Sequence, residues 1–249
     1  MKFLVVTLIL FSFQTAQAVL EIRVGAYDFP PYYEFHKSKH IGITTQTVKI
    51  LNSLQKDYTF VIQRVPANRR YQTLERNRVD LYLYEDPAWE WSKYSYEFIP
   101  LDVEDGEVYI TKAGALPAPQ TFEELKKLRI AVVQGYHYGF AGLDADERAL
   151  KKNFRIEILD NSKTCLHFVA TGRADVTIVA KSFIYDFIRK NPDYRDKISI
   201  SNNYDSIYKL GVVLSPKSRI PRAKMEALVD NLKKNAEFQE NIRRRFEIK

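Results

Sequence analysis

A group of aromatic side chains follows the first predicted strand and is the first candidate for a binding surface. Residues 27–35 place Pro30 and Pro31 among the rings of Tyr27, Phe29, Tyr32, Tyr33 and Phe35. Because proline fixes φ and lacks an amide donor, this turn should be rigid. Rings held rigidly at a strand end offer preorganised surface to a flat or apolar ligand, but rings also belong in cores. At this point both interpretations stand.

Charged residues follow two further strands. Arg69 and Arg70 open a predicted helix and could pair with an anionic ligand group, the alternative being an exposed partner for Glu75. Glu85 and Asp86 end a strand and could hold a cationic ligand or pair with neighbouring cations. The residue types therefore permit a ligand of either charge.

Ligands of open α/β sheets bind at the carboxyl ends of strands, so the other strand-end turns supply further candidates. A helix that starts in the turn at residues 134–139 would present free amides to an anion. We interpret His137 as a polar cleft or surface residue rather than a catalyst, and Trp89 as a ligand cover or a packing residue. The full set from these turns is Tyr84, Trp89, Gln134, Tyr136, His137, Tyr138, Asn161 and Lys181.

The composition argues against metals, cofactors and nucleic acid. The single cysteine, Cys165, lies among apolar residues and is predicted to be buried, and four scattered histidines give no metal spacing. The formal net charge is +7, but the basic residues are dispersed. The one dense run, at residues 243–245, is interpreted as a solvated helix face. We expect no cofactor, no metal and no nucleic-acid partner.

The first 18 residues have the features of a secretory signal. Lys2 precedes an apolar run at residues 3–13, and small residues at 16 and 18 predict cleavage after Ala18. No other stretch is apolar for long enough to span a membrane. We therefore expect a periplasmic protein without stable membrane insertion, and a monomer.

Strands and helices alternate along the remaining chain, which predicts an α/β fold with mostly parallel strands. Gly, Pro and Ala at residues 113–120 form the best linker, and a long amphipathic helix is predicted over residues 222–246. The predicted strands are residues 21–26, 58–65, 79–84, 107–111, 129–133, 155–159, 175–179 and 210–214. The predicted helices include residues 43–54, 68–77, 146–152, 162–171 and 181–189, with a capping box at Thr121.

The order of several short motifs resembles that of the extracellular solute-binding proteins of family 3, the group of the periplasmic amino-acid-binding proteins of ABC importers. Each motif is weak alone, but the ordered set covers nearly the whole chain after residue 18. The matching pieces are Val24-Gly25, Pro31-Tyr32, Gly42-Ile43, Leu74 with Asp80, Phe98 with Pro100, residues 128–135 and residues 172–175.

This resemblance implies a type 2 periplasmic binding fold, with two lobes of mostly parallel sheet joined by a two-segment hinge. Residues 19–110 would form lobe 1, residues 111–208 lobe 2, and residues 209–249 a return to lobe 1. Phe29 stands where the family has a stacking aromatic residue. The resemblance favours the aromatic turn as a ligand wall.

Two departures from the family pattern bear on the ligand. Amino-acid-binding members carry an arginine that grips the ligand carboxylate, and here its place falls at Ser92. The aspartate that holds the ligand ammonium is replaced by Ala180. An ordinary α-amino acid is therefore not the expected ligand.

The leading hypothesis is a non-enzymatic protein that captures a small polar or aromatic solute by hinge closure, for an ABC permease. One alternative is a periplasmic enzyme on the same fold, similar to cyclohexadienyl dehydratases, with His137, Glu85 and Lys181 as candidate acid and base residues. The other alternative is a ligand-sensing module for an envelope sensor protein.

Overall fold

The structure is a computed structural model that describes residues 19–115, 119 and 121–246. The predicted signal segment and its cleavage site lie outside the described residues, as does part of the predicted linker. None of the described helices has both the length and the apolar character that a membrane crossing requires.

The strands pair along one large sheet and one small hairpin. They are β1 (Leu20–Ala26), β2 (Glu34–His36), β3 (Lys39–Ile41), β4 (Tyr58–Arg64), β5 (Leu81–Glu85), β6 (Glu97–Lys112), β7 (Arg129–Val133), β8 (Arg155–Leu159), β9 (Val176–Ala180) and β10 (Ile198–Leu214).

The helices connect these strands. They are α1 (Ile43–Ser53), α2 (Arg70–Glu75), α3 (Phe122–Leu125), α4 (Glu147–Asn153), α5 (Ser162–Ala170), α6 (Lys181–Lys190), α7 (Arg222–Lys234) and α8 (Ala236–Arg244). The N-cap of the predicted capping box is confirmed, since the Thr121 side chain accepts from the Glu124 amide at the start of α3.

The α/β fold class is confirmed, and the sheet shows how the two expected halves are joined. The strand order is β4-β1-β5-β10-β6-β9-β7-β8, with β2 and β3 paired separately. Strands β1, β4 and β5 are parallel, as are β7, β8 and β9, whereas β6 and β10 run antiparallel to their neighbours. The two expected sheets are thus the two ends of one sheet, continuous through β6 and β10.

These two central strands are much longer than the sequence predicts. β6 begins at Glu97, and β10 begins at Ile198 rather than near Leu210. β6 is alternately buried and exposed up to Asp105 and buried on both faces from there to Thr111. Regular alternation changes to continuous burial within a single strand, so each pattern by itself suggests a separate short strand.

The apolar core follows the two ends of the sheet. The larger cluster includes Val24, Leu51 and Leu214, with helices α1 and α7 packed against it. A second cluster includes Ile130 and Ile178 near β7 and β9. Cys165 is a buried free cysteine, as predicted, and burial raises the pKa of its thiol to about 12.

Two expectations about the C-terminal segment are wrong. The single predicted helix is broken at Asn235, whose extended backbone ends α7 and whose side chain accepts from the Phe238 amide to start α8. This asparagine is an N-cap, and its neighbours keep a helical apolar period. The second is wrong only in part: Arg243 and Arg244 are exposed as predicted, whereas Arg245 is buried and donates to the backbone oxygens of Ile242 and Glu104.

Candidate functional site

The aromatic turn after β1 is closed by its own backbone. Phe29 and Tyr33 exchange two backbone hydrogen bonds of 2.8 and 2.9 Å across the proline pair. The Phe29 ring lies 5.0 Å from Tyr32, 5.6 Å from Trp89 and 5.7 Å from Tyr136, measured between ring centroids. The turn therefore places Phe29 at the centre of an aromatic cluster that draws on both halves of the chain.

A small enclosed space beside this ring, here called the inner cavity, brings together residues distant in sequence. Its volume is about 10 Å³, close to the room needed for one water molecule. The first half of the chain contributes Tyr27, Phe29, Arg70 and Trp89, the second contributes Gly135, Tyr136 and His137, and β6 contributes Glu107. Six of these eight residues are candidates from the sequence.

Arg70 is the buried cation of the inner cavity. Its guanidinium donates to the backbone oxygens of Ala67 at 2.7 Å and Gly135 at 3.1 Å, and Nε lies 3.5 Å from Glu85 Oε2. It also lies over the Tyr27 ring, 5.0 Å from the centroid. Nε has no hydrogen-bond partner among the described residues, so part of the donor capacity of Arg70 is unused.

Glycine is required where Arg70 meets the second half of the chain. Gly135 has a φ of +74°, and a Cβ there would come within 3.1 Å of the Asn68 amide nitrogen. The left-handed conformation turns the Gly135 carbonyl toward Arg70 without a side-chain clash.

Glu107 is the buried acid of the inner cavity. It lies on β6 opposite Ala180 of β9, is 3% exposed, and its Oε2 has no hydrogen-bond partner among the described residues. Burial, with the nearby Asp205 and Asp105 carboxyls, holds the pKa of Glu107 well above its ordinary range. A buried carboxyl oxygen without a donor is costly to the fold, which makes Glu107 a candidate binding residue.

His137 has no free nitrogen to act as an acid or base. Its Nδ1 donates to the Leu143 backbone oxygen at 2.6 Å, since a carbonyl can only accept, and Nε2 lies 2.7 Å from the Tyr71 hydroxyl. Burial and the Arg70 charge lower the pKa of His137 to about 4. The neutral ring therefore acts as a bridge between the two halves.

A larger space, here called the outer cavity, adjoins the inner one. It measures about 530 Å³ and shares Tyr136 with the inner cavity. Arg64 and Asp28 lie on one side, with Nη2 3.3 Å from Oδ2, and Gln134 and Asp160 lie on the other. Tyr136 is thus a lining residue of both spaces.

Several candidate residues lie near the aromatic turn but outside both cavities. The Tyr32 hydroxyl donates to Asp105 at 2.8 Å, Tyr33 pairs with His40, and Tyr84 pairs with Thr47. Glu85 is fully buried and accepts from the Trp91 indole at 2.8 Å while facing Arg70. These residues support the wall of the site rather than form it.

The remaining candidates are dispersed. Asp86 accepts from the Ala88 and Lys209 amides, and Asn161 caps α5. Arg69 is exposed, in contrast with its neighbour Arg70. The Tyr138 hydroxyl accepts from the Val133 amide, and Lys181 donates to Tyr204 away from the inner cavity. His137, Glu85 and Lys181 therefore do not line one common cavity.

Sequence reasoning missed two residues. Glu107 lies within a predicted strand, and its signal is an acidic residue that follows Glu104 and Asp105 where the chain crosses between halves. Tyr208 is 4% exposed and stacks edge-on against Trp89 at 4.9 Å, while its hydroxyl has no partner among the described residues. Its position becomes evident only when β10 extends back to Ile198.

The architecture is similar to that of solved binding proteins. A mutant of ArgBP from T. maritima superposes with a TM-score of 0.71 at 19% identity, covering 91% of this chain and 95% of that one. A substrate-binding protein of an amino acid ABC transporter gives 0.67 at 20%, covering 91% and 99%. A histidine kinase sensor domain described as similar to periplasmic binding proteins gives 0.72 at 16%, covering 92% and 96%.

No family model matches the sequence, and no curated protein matches it. At these identities the likeness shows the fold, which is the two-lobed α/β fold of periplasmic binding proteins. The inner cavity is lined by residues from both halves of the chain.

Proposed function

We propose that this protein is an exported solute-binding protein of the family 3 type, which captures a small polar or aromatic solute between its lobes. Residues 19–110 and 209–249 would form one lobe and residues 111–208 the other, after export directed by residues 1–18. The observation that carries the proposal is the inner cavity, where buried Arg70 and Glu107, among rings from both halves, each have a polar atom without a partner in the described part of the chain.

Several contacts between the two halves of the chain would hold the cleft closed. Arg70 donates to the Gly135 oxygen, and the Tyr136 hydroxyl donates to the Asp28 oxygen at 2.6 Å. Lys163 pairs with Glu34 at the exposed edge. Few polar contacts hold this interface, and β6 and β10 run continuously beneath it. Rotation about those strands would open it to a solute.

The two positions that hold the carboxylate and the ammonium of an amino acid in family 3 proteins favour a ligand other than an α-amino acid. Ser92 is exposed, and Ala180 is an apolar residue at the end of β9. Neither side chain is charged, so neither can form an ion pair with an ammonium or a carboxylate. Recognition would therefore depend on Arg70, Glu107 and the surrounding rings.

Capture of the solute could serve transport by an ABC permease or signalling by an envelope sensor. Transport and signalling would both begin with the same closure of the cleft. The likeness to a transporter component and to a sensor domain supports the shared step. Cross-linking the liganded protein in its own cell envelope separates the two, since transport requires a ligand-dependent contact with a permease.

The test of capture is a thermal-shift panel on the protein starting at Val19, with amino acids, amines, sugars, short peptides and aromatic acids. A solute at about 100 times its Kd stabilises the protein by about 2.7 kcal/mol. For the solute that binds, we expect Arg70→Gln and Phe29→Leu each to weaken the Kd at least tenfold.

The matched control is Arg69→Gln, because Arg69 is the exposed neighbour of Arg70. It should leave the Kd within twofold. Equal binding by the Arg70 and Arg69 variants would place the ligand elsewhere, and an α-amino acid bound at micromolar Kd would contradict the interpretation of Ser92 and Ala180.

A further inference from the structure

We propose that the inner cavity receives a cationic nitrogen of the ligand, an ammonium or a comparably slim cation, and that Glu107 is its counter-ion. The inference rests on the proposed function and specifies the ligand class of the same site.

The charges that line the inner cavity leave one acid unmatched. Arg70 is already compensated by Glu85 and by two backbone oxygens. Glu107 is equally buried, yet its Oε2 has no donor among the described residues. A ligand cation at this oxygen would supply the missing partner and stabilise the ionised carboxylate, whereas a ligand anion would disfavour that ionised form.

The rings around Glu107 also suit a cation. Phe29 meets Trp89 and Tyr136 edge-to-face, at interplanar angles of 87° and 84°. Tyr208 closes the group with a hydroxyl that lacks a partner among the described residues. A cation that lies over the face of such a ring is attracted by its quadrupole, most strongly when the cation is desolvated.

The different volumes of the two cavities suggest that each would hold a different part of the ligand. The inner cavity holds about one water molecule, so only a slim group can reach Glu107 without pushing the rings apart. The outer cavity, at about 530 Å³, has room for the remainder of a small solute, and Tyr136 lines both. Besides the paired Arg64 and Asp28, its wall carries Asp160, which also disfavours an anionic body.

Binding of a cation should be linked to proton release. Glu107 must be ionised to act as a counter-ion, and burial favours its protonated form in the free protein. Rising pH should therefore tighten binding of an ammonium until the amine itself deprotonates. The other titratable or charged groups around Glu107 are Asp105, Asp205, Tyr136, Tyr138, Tyr208, Tyr109, Arg70 and His137.

The test compares cations with their neutral analogues. The probes are methylammonium, butylammonium, benzylammonium and putrescine, each paired with the corresponding alcohol, titrated calorimetrically into the protein starting at Val19 at pH 8. At least one ammonium should bind while its alcohol binds more than tenfold more weakly. Glu107→Gln should weaken the ammonium more than tenfold, and titration in two buffers of different ionisation enthalpy should show proton release.

The matched control is Glu104→Gln, an exposed position on the same strand, which should leave the Kd within twofold. Unchanged ammonium binding by Glu107→Gln, or equal binding of an alcohol, would overturn the inference. If only a neutral or anionic solute binds, and Phe29→Leu weakens it, the inference fails while solute capture stands. If no solute of either panel binds, both fail.

Discussion

The Tyr136 hydroxyl donates a hydrogen bond of 2.6 Å to the Asp28 backbone oxygen and thereby joins the turn after β7 to the aromatic turn after β1. The same ring lines the inner and outer cavities. One residue thus helps to join the two halves of the chain and lines both spaces.

Tyr136→Phe tests the hydrogen bond between the Tyr136 hydroxyl and the Asp28 backbone oxygen, because it removes the hydroxyl and keeps the ring. Losing one hydrogen bond of about 1 kcal/mol should favour the open form and weaken solute binding roughly fivefold. Stopped-flow fluorescence should assign the change mainly to faster dissociation. Tyr58→Phe, at the amino end of β4, is the control, and an equal effect there would exclude a specific role of this hydrogen bond.

His137 should give the protein a specific sensitivity to acid. Its pKa is lowered to about 4 in the folded state against about 6.5 unfolded, so its contribution to stability is complete above pH 6.5 and falls as pH drops toward 4. Urea unfolding should show the stability difference between wild type and His137→Gln shrinking by about 3 kcal/mol over that range. A constant difference would contradict the buried, neutral ring.

Glu107 should show the opposite dependence. Because burial raises its pKa in the folded state, wild type should lose stability relative to Glu107→Gln as pH rises from about 4.5 upward. The variant should therefore be at least as stable as wild type at pH 8 although it binds less, a trade-off typical of binding sites. Denaturant midpoints at pH 5 and pH 8 measure this, and a wild type that gains stability relative to the variant between pH 5 and pH 8 would refute it.

We predict that Asp80 contributes more to the stability of the fold than Asp175, a carboxylate with a similar hydrogen bond. It is fully buried and accepts from the Arg23 amide at 2.7 Å and from Arg219 Nη2 at 2.6 Å. Burial raises the pKa of Asp80, but these bonds outweigh burial and lower the pKa below its ordinary value. Asp80→Asn should destabilise the fold by about 2–3 kcal/mol at pH 7.

Asp175 supplies the internal control for Asp80. It accepts from the Arg129 amide with the same 2.7 Å geometry, but its side chain is 36% exposed. Asp175→Asn should therefore cost about 1 kcal/mol or less. Equal losses in the two variants would show that burial does not set the strength of this motif.

Much of the fold was predictable because most elements are short and locally patterned. Strands β7 and β8 have the expected bounds, since apolar runs flanked by polar residues define them. The continuous sheet was not predictable because it depends on long-range strand pairing. The helix break at Asn235 was not predictable because it depends on one capping side chain.

The candidate site was predictable where rigid turns follow strands, as at Phe29 and Tyr136. A distinction between Arg69 and Arg70 requires the helix orientation that places one in solvent and the other in the core. Glu107 was missed because its burial arises from partners on β9 and β10, which no local pattern reveals.

The most direct test of solute capture between the two halves is hydrogen–deuterium exchange with and without the solute that raises the melting temperature. The account predicts that slower exchange appears together in the turns at residues 27–33 and 134–138, while α7 is unaffected. Protection confined to one of the two turns, or found only outside both, would contradict closure of the cleft around a ligand.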